Sequence, residues 1–373
     1  MTYAGPSELT VDLEAYAANL AFIRARIPDG CGMIAVVKAN AYGLGAVPVA
    51  MKALEAGARM LGVATVDEGA ELVEAGIEAP ILVMVQPSDA DLAVGIEYGL
   101  RLGLSDGTTV ERLGELARRA KVVAGIHCEV DTGMGRQGFA LEGAAEALLG
   151  LTRISNVDIQ GVYTHFPFAD MPNDPFTSNQ IKLFKQLLKR LGKDGVPYEV
   201  AHASNSAGIL NYPGAAFDMV RPGLMTYGVW PGDRPPQPCP LRSVARWTSR
   251  VVLLKDHAPE TTIGYGRSYE TPSSMRAATI PVGYEDGYPY ALSNRGEVLI
   301  RGERCGVLGR VSMDQIVVDV TEVGGVVVGD LVTLIGEDGS DKVTVAELAE
   351  RAGTIPYDVL TGIGQRVART YVS

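Results

Sequence analysis

The sequence predicts a (β/α)8 TIM-like barrel followed by a mostly β domain, and three observations predict it. Eight short apolar, β-rich runs recur through the first 225 residues, and amphipathic helical patterns lie between most of them. Near residue 231 the texture changes to a proline-dense segment and then to alternating β-branched runs with glycine turns.

The eight runs begin at the positions given: "IAVVKA" (34), "MLGVAT" (60), "ILVMVQ" (81), "LRLGLS" (100), "VAGIHCEVD" (123), "IQGVYTHF" (159), "YEVAHAS" (198) and "DMVRPG" (218). Continuous apolar strands are those buried on both faces, as in a parallel sheet under helices. The helical patterns include "VPVAMKALEAGA", "DEGAELVEAG", "TVERLGELARRA" and "TSNQIKLFKQLLKRLG". Eight strand–helix units indicate a closed barrel; a doubly wound open sheet gives a similar rhythm and remains the alternative. "PGDRPPQPCP" reads as a linker, and "SRVVLLKD", "AATIPVGYEDGY", "EVLIRGERCGVLGRVSMDQIVVDV" and "GDLVTLIG" read as strands of the second domain, with a helix at "TVAELAERAG". The expected boundaries are 1–235 for the barrel and 236–373 for the β domain, with the first ten or so residues allowed to pack with the latter.

Composition bounds the function. With 373 residues, 47% hydrophobic and 21% charged, the chain can bury large cores and is ordinary for a globular enzyme. A formal net charge of -11 without a long basic run argues against nucleic acid or an anionic membrane as partner. Cys31, Cys128, Cys239 and Cys305 are widely spaced, which suggests neither a zinc site nor a disulfide framework and fits a reducing compartment. No basic-then-apolar leader and no run of eighteen apolar residues is found, so a cytoplasmic protein is expected.

In a barrel of this kind the residues at the C-terminal ends of the strands surround the active site. Lys38 closes the first run, Arg136 ends "DTGMGR" after the fifth, and His165 ends the sixth. Asn205 and Ser206 follow the seventh and Arg221 ends the eighth. A lysine in an apolar strand is suited to imine chemistry, because desolvation frees its amine as a nucleophile. That leaves a substrate imine of aldolase type or pyridoxal phosphate. "SNSAG", with Gly223 and Leu224, supplies a hydroxyl and backbone N–H groups where barrels often bind phosphate.

The stretch "AVVKANAYGLG" resembles the signature of the alanine racemases, and the likeness extends over nearly the whole chain. "DTGMGR", "THF", "SNSAG", "DMVRPGLMTYG", "IGYGRSY", "PVGYEDGY", "SMDQ" and "TIPYD" follow in that family's order and at about its spacing. The resemblance implies that Lys38 carries the cofactor pyridoxal 5'-phosphate and is one of two catalytic bases. It implies that Tyr42, Ser206 (beside Asn205), Gly223, Leu224 and Tyr357 bind the phosphate, and that Arg221 faces the pyridine nitrogen. His165 would hydrogen-bond to Arg221 and sit near Tyr265, the second base, contributed by the other subunit of a homodimer. Tyr284, Met313 and Asp314 are implied at the partner's part of the substrate entrance, with the Met313 amide touching substrate. Arg136 would bind the substrate carboxylate.

The chain departs from the family at one position. Many members have a lysine, modified to a carbamate, seven residues before this arginine; this chain has Glu129. Glu129 is expected to supply that charge unmodified, through a charge-assisted contact with Arg136; the alternative is a surface-facing glutamate. The implied activity is interconversion of L- and D-alanine, supplying D-alanine for peptidoglycan. A serine, lysine or broad-specificity racemase, a basic amino acid decarboxylase and a noncatalytic pyridoxal-phosphate-binding protein remain alternatives. No metal site is indicated, the glycines of "KANAYGLG" form no dinucleotide fingerprint, and "KLFKQLLKR" reads as a solvated helix face.

Overall fold

A computed structural model describes residues 5–172, 174–232 and 235–373. The chain divides into two compact units: residues 16–41 with 46–242, and residues up to Ala15 with Tyr42–Gly45 and Ser243–Ser373.

The first unit holds eight parallel strands: Gly32–Val36, Met60–Val63, Ile81–Val83, Arg101–Leu104, Ala124–Asp131, Val157–Tyr163, Val200–His202 and Met219–Val220. Each pairs with its neighbours in sequence, and the eighth pairs with the first through Met219–Gly32 and Val220–Met33, so the sheet is a closed barrel and not an open doubly wound sheet. Ile34, Met60, Leu82 and Met219 form an apolar cluster contributed by four of these strands.

The surrounding helices start and stop where their residues require. Asp106 accepts the Thr109 amide and caps Gly107–Ala120, which buries Val110, Leu113, Gly114 and Ala117 at helical spacing. Pro175–Asp194 begins with proline in its first turn, ends at Gly195 in the left-handed region, and buries Phe184, Leu187 and Leu191. Its Lys182, Lys185 and Lys189 face solvent.

The second unit is built on a sheet in the order 303–306, 297–300, 331–338, 245–250, 8–12, 368–372, accompanied by a three-stranded sheet of 253–257, 275–280 and 316–319. Glu8–Asp12 runs antiparallel to 245–250 and parallel to 368–372. Trp247 is fully buried, meets Tyr288 edge-on at 6.3 Å and donates its indole N–H to Ser7 Oγ at 2.8 Å. The helix Val345–Ala352 is capped by Thr344 and stopped by Gly353. Residues 233 and 234 of the proline-dense segment lie outside the described residues. No helix among the described residues is long and apolar enough to cross a membrane.

Candidate active site

Lys38 is placed by the first strand and then by a rare turn. The strand ends at Val36, so Lys38 stands two residues past it rather than closing it. From Ala39 to Tyr42 the backbone turns in the left-handed sense, with φ of 53°, 52°, 51° and 57°. Residues with a Cβ avoid that region by about 1–2 kcal/mol each, so the turn must be held by its neighbours. Val37 donates its amide to the Gly62 carbonyl at 2.8 Å, and Asn40 Oδ1 accepts the Ala46 amide at 2.7 Å. Glu68 accepts the Ala39 amide at 2.6 Å on one oxygen and the Ala64 amide at 2.6 Å on the other. Burial lowers the pKa of the Lys38 amine, the charge of Arg136 adds to that, and Glu68 opposes it. The net shift makes the proton easier to lose, the direction that nucleophilic use of the amine requires.

Arg136 follows a turn wound around Asp131, whose carboxylate accepts the amides of Gly133, Met134 and Gly135 at 2.7–3.2 Å. The guanidinium is exposed. Glu129, by contrast, is 1% exposed, so the surface-facing alternative fails. Its expected interaction with Arg136 is one of charge and not a direct hydrogen bond: the carboxylate is bonded by the Gln137 amide, with the Tyr163 hydroxyl also against it, while the charge of Arg136 still favours its ionised form. Gln137, one residue beyond Arg136, turns inward to bridge Glu129 and the Met84 carbonyl, while Arg136 is exposed. Burial raises the Glu129 pKa; the two hydrogen bonds, then the charges of Arg221 and Arg136, act against it.

Arg221 ends the eighth strand at 4% exposure. One terminal nitrogen donates to His202 Nδ1 at 2.7 Å. The other reaches the carbonyls of Thr164 at 2.8 Å and Ala203 at 2.9 Å and the His165 Nδ1 at 3.2 Å. Every one of these acceptors is neutral, so the guanidinium is fixed in place without being cancelled. Burial first, then the charges of Arg221, Arg136 and Lys38, push the His165 pKa down to about 3, which keeps that ring an acceptor.

After the seventh strand Asn205 caps a short helix by accepting the Gly208 amide at 3.0 Å, and the buried Ser206 Oγ accepts the amides of Gly223 at 3.0 Å and Met225 at 3.2 Å. Ser206 thereby keeps its own proton to donate, and Gly223 and Leu224 lie in the same turn. The barrel thus gathers a lysine amine held toward neutrality, a buried hydroxyl among backbone amides, and a fixed cation. This donor set fits a cofactor carrying an aldehyde, an anionic phosphate and a ring nitrogen.

The remaining expected residues lie in the second unit. Tyr42 and Tyr357 pack with ring centroids 5.7 Å apart. Gly43 beside them admits no side chain, since a Cβ there would stand 2.5 Å from the Leu360 carbonyl oxygen, and Arg369 donates to the Gly43 carbonyl at 3.1 and 3.2 Å. Tyr284 and Met313 sit on adjoining turns, joined by the Glu285 amide donating to the Met313 carbonyl at 3.1 Å. Arg366 ties Asp286 at 2.7 Å to Asp314 at 2.8 Å. Tyr265 occupies the turn between 262–263 and 269–270 with 72% exposure.

Family models match residues of both units. The alanine racemase N-terminal domain matches residues 11–231 and the alanine racemase C-terminal domain residues 244–371. The chain belongs to the alanine racemase family. An alanine racemase of Symbiobacterium thermophilum is 44% identical over 98% of this chain and 97% of its own. The solved alanine racemase of D-cycloserine-producing Streptomyces lavendulae superposes with a TM-score of 0.92 at 35% identity, covering 99% of this chain and 97% of that one. That of Bartonella henselae, solved with covalently bound pyridoxal phosphate, gives 0.89 at 29% identity, covering 99% of this chain and all of that one.

Sequence reasoning missed several residues around this alanine racemase site. His127 and His202 lie inside the strand runs "VAGIHCEVD" and "YEVAHAS", and Tyr163, Gln137 and Glu68 complete the barrel contacts. A signal was available: the chain has only four histidines, and two of them stand in otherwise apolar strands.

Proposed function

We propose that this protein interconverts L-alanine and D-alanine with pyridoxal 5'-phosphate, as a cytoplasmic homodimer supplying D-alanine for peptidoglycan. The observation that carries the reading is Arg221, a buried cation whose hydrogen-bond acceptors among the described residues are His202, His165 and two carbonyls. In the position the family resemblance gives it, such a cation opposes protonation of the cofactor's ring nitrogen. A weaker electron sink suits prompt return of the α-proton and disfavours decarboxylation. Full-length similarity to an alanine racemase at 44% identity supports alanine as the substrate.

When bound, pyridoxal phosphate acidifies the Cα–H of an amino acid joined to it. Lys38 holds the cofactor, and Tyr42, Asn205, Ser206, Gly223, Leu224 and Tyr357 secure its phosphate. Arg136 takes the substrate carboxylate, with the Met313 amide a further contact. Racemisation needs an acid/base group on each face of Cα. Lys38 serves one face, its amine already held toward neutrality. Tyr265 of the partner subunit serves the other, assisted by the His165–Arg221 pair. The exposure of Tyr265, Tyr284 and Met313 on ordered turns supports a site completed by a second copy.

The test is to incubate the purified protein with single L-amino acids in deuterated water and follow Cα exchange and appearance of the D-enantiomer. Alanine is expected to racemise fastest. Equal rates with serine or lysine would make it a broad-specificity racemase, carbon dioxide release a decarboxylase, and bound cofactor without exchange a noncatalytic carrier. Tyr265→Ala should keep the cofactor yet lose exchange from one face; retained racemisation would remove Tyr265 from its role.

A further inference from the structure

Behind Arg221 lies a second layer of contacts that the proposed reaction does not itself use. His202 Nδ1 accepts from Arg221 at 2.7 Å, and its other nitrogen, Nε2, lies 2.8 Å from His127 Nδ1. Both imidazoles are fully buried. Proton bookkeeping leaves one arrangement. A guanidinium only donates, so His202 Nδ1 must present its lone pair and the proton of the neutral ring must sit on Nε2. That N–H points at His127 Nδ1, which must accept, so the proton of His127 sits on its own Nε2. The His127 Nε2 is buried and has no hydrogen-bond partner among the described residues.

A buried N–H without a partner is unfavourable, and an apolar side chain would fill the same space without it. The chain nevertheless builds a seat for this ring. The fifth and sixth strands slip register between Ile126, opposite Ile159, and His127, opposite Gly161, leaving Gln160 as an extra residue. Such a bulge re-aims the side chain beside it. Opposite the ring is Gly161, where a Cβ would stand 2.2 Å from His127 Nδ1. On its other side His202 stacks on Tyr163 with centroids 4.8 Å apart and planes at 11°.

We propose that His127, seated against Gly161, is a positioning residue that accepts the Nε2–H of His202 and so holds in place the ring whose Nδ1 receives Arg221. The purpose assigned to Arg221 rests on the racemase reading; the tautomer chain stands on its own contacts.

The test uses the full chain labelled with 15N-histidine, observing the ring nitrogens by two-bond 1H–15N correlation at neutral pH, with assignment from single-histidine variants. Neutral Nε2–H tautomers are expected for both His127 and His202. A His202 protonated at Nδ1 overturns the proposal on the unaltered protein, whether or not any variant folds. His127→Phe and Gly161→Ala should each weaken the His202 Nε2–H hydrogen bond, moving that proton's resonance upfield, whereas His127→Gln, which keeps an acceptor, should restore it. An unchanged His202 Nε2–H resonance in His127→Phe also overturns the proposal. With cofactor and alanine present, His127→Phe should raise transamination per racemisation event about tenfold, as the loss of one buried hydrogen bond permits. If no amino acid racemises while the tautomers are as expected, the racemase reading fails and the tautomer chain survives.

Discussion

Glu68 Oε1 accepts the amide of Ala39, the residue following Lys38, at 2.6 Å. A side chain on one barrel helix therefore holds the left-handed turn that begins at the lysine, and its charge opposes the lowering of the Lys38 pKa. Glu68→Gln should let Lys38 lose its proton at lower pH, because the one group raising its pKa is neutralised. The pH midpoint for attachment of added pyridoxal phosphate, followed by absorbance, should move down; a midpoint that stays or rises counts against this account. Glu68→Ala should also cost about 2 kcal/mol of stability, roughly 1 for each of the Ala39 and Ala64 amides that lose their acceptor.

Glu129 gives a pH prediction of definite sign. Its folded pKa is raised, chiefly by burial, so the folded state binds its proton more tightly than the unfolded chain does. The stability it contributes is present at acid pH and is lost as pH rises from the usual carboxylate value, about 4.3, through the raised one. Glu129→Gln keeps the shape and removes the titration. The difference in Tm between variant and parent should therefore grow in the variant's favour as pH rises through that window, and a difference independent of pH would be inconsistent with a raised carboxyl.

Arg221→Gln leaves the carbonyls of Thr164 and Ala203 and the nitrogen of His202 without their donors. Unsatisfied buried acceptors cost about 1–3 kcal/mol each, and the shorter amide can serve only some of them. A loss of roughly 3 kcal/mol in denaturant unfolding is expected. A loss below about 0.5 kcal/mol, the range of surface substitutions, would show that the guanidinium is replaceable.

Gly43 has φ of 83°, and its missing Cβ would meet the Leu360 carbonyl oxygen at 2.5 Å. Gly43→Ala must displace the helix Pro356–Thr361, which carries Tyr357. The cofactor should then bind at least tenfold more weakly, measured by equilibrium dialysis, while Ser206 and its amides remain unchanged. Undiminished binding would separate Tyr357 from the phosphate.

Much of this molecule can be read from residue pattern, because a closed parallel barrel demands apolar runs buried on both faces and helices with one apolar face. Lys38, His165, Ser206 and Arg221 are visible as polar residues at the ends of such runs. The left-handed turn is not visible, because alanine and tyrosine carry no preference for it and the hydrogen bonds that impose it come from Glu68 and Asn40. Glu129 illustrates a different limit. Sequence spacing brought it near Arg136, but which of two adjacent residues turns inward was decided by the Met84 carbonyl and the carboxylate together, and Gln137 won. His127 was hidden for a third reason: its meaning lies in a register slip and a glycine notch on another strand.

The parallel pairing of Glu8–Asp12 with Ala368–Val372 has a consequence for biosynthesis. Residues 8–12 lie between 245–250 and 368–372, two strands synthesised well after them. The barrel strands are all synthesised before residue 221, so their sheet can close during translation, whereas residues 8–12 wait for 245–250 and then 368–372 to be made. Removing residues 368–373 should accordingly move the sheet's outer edge from that strand onto residues 8–12, while leaving the barrel's own hydrogen-bond ladder complete.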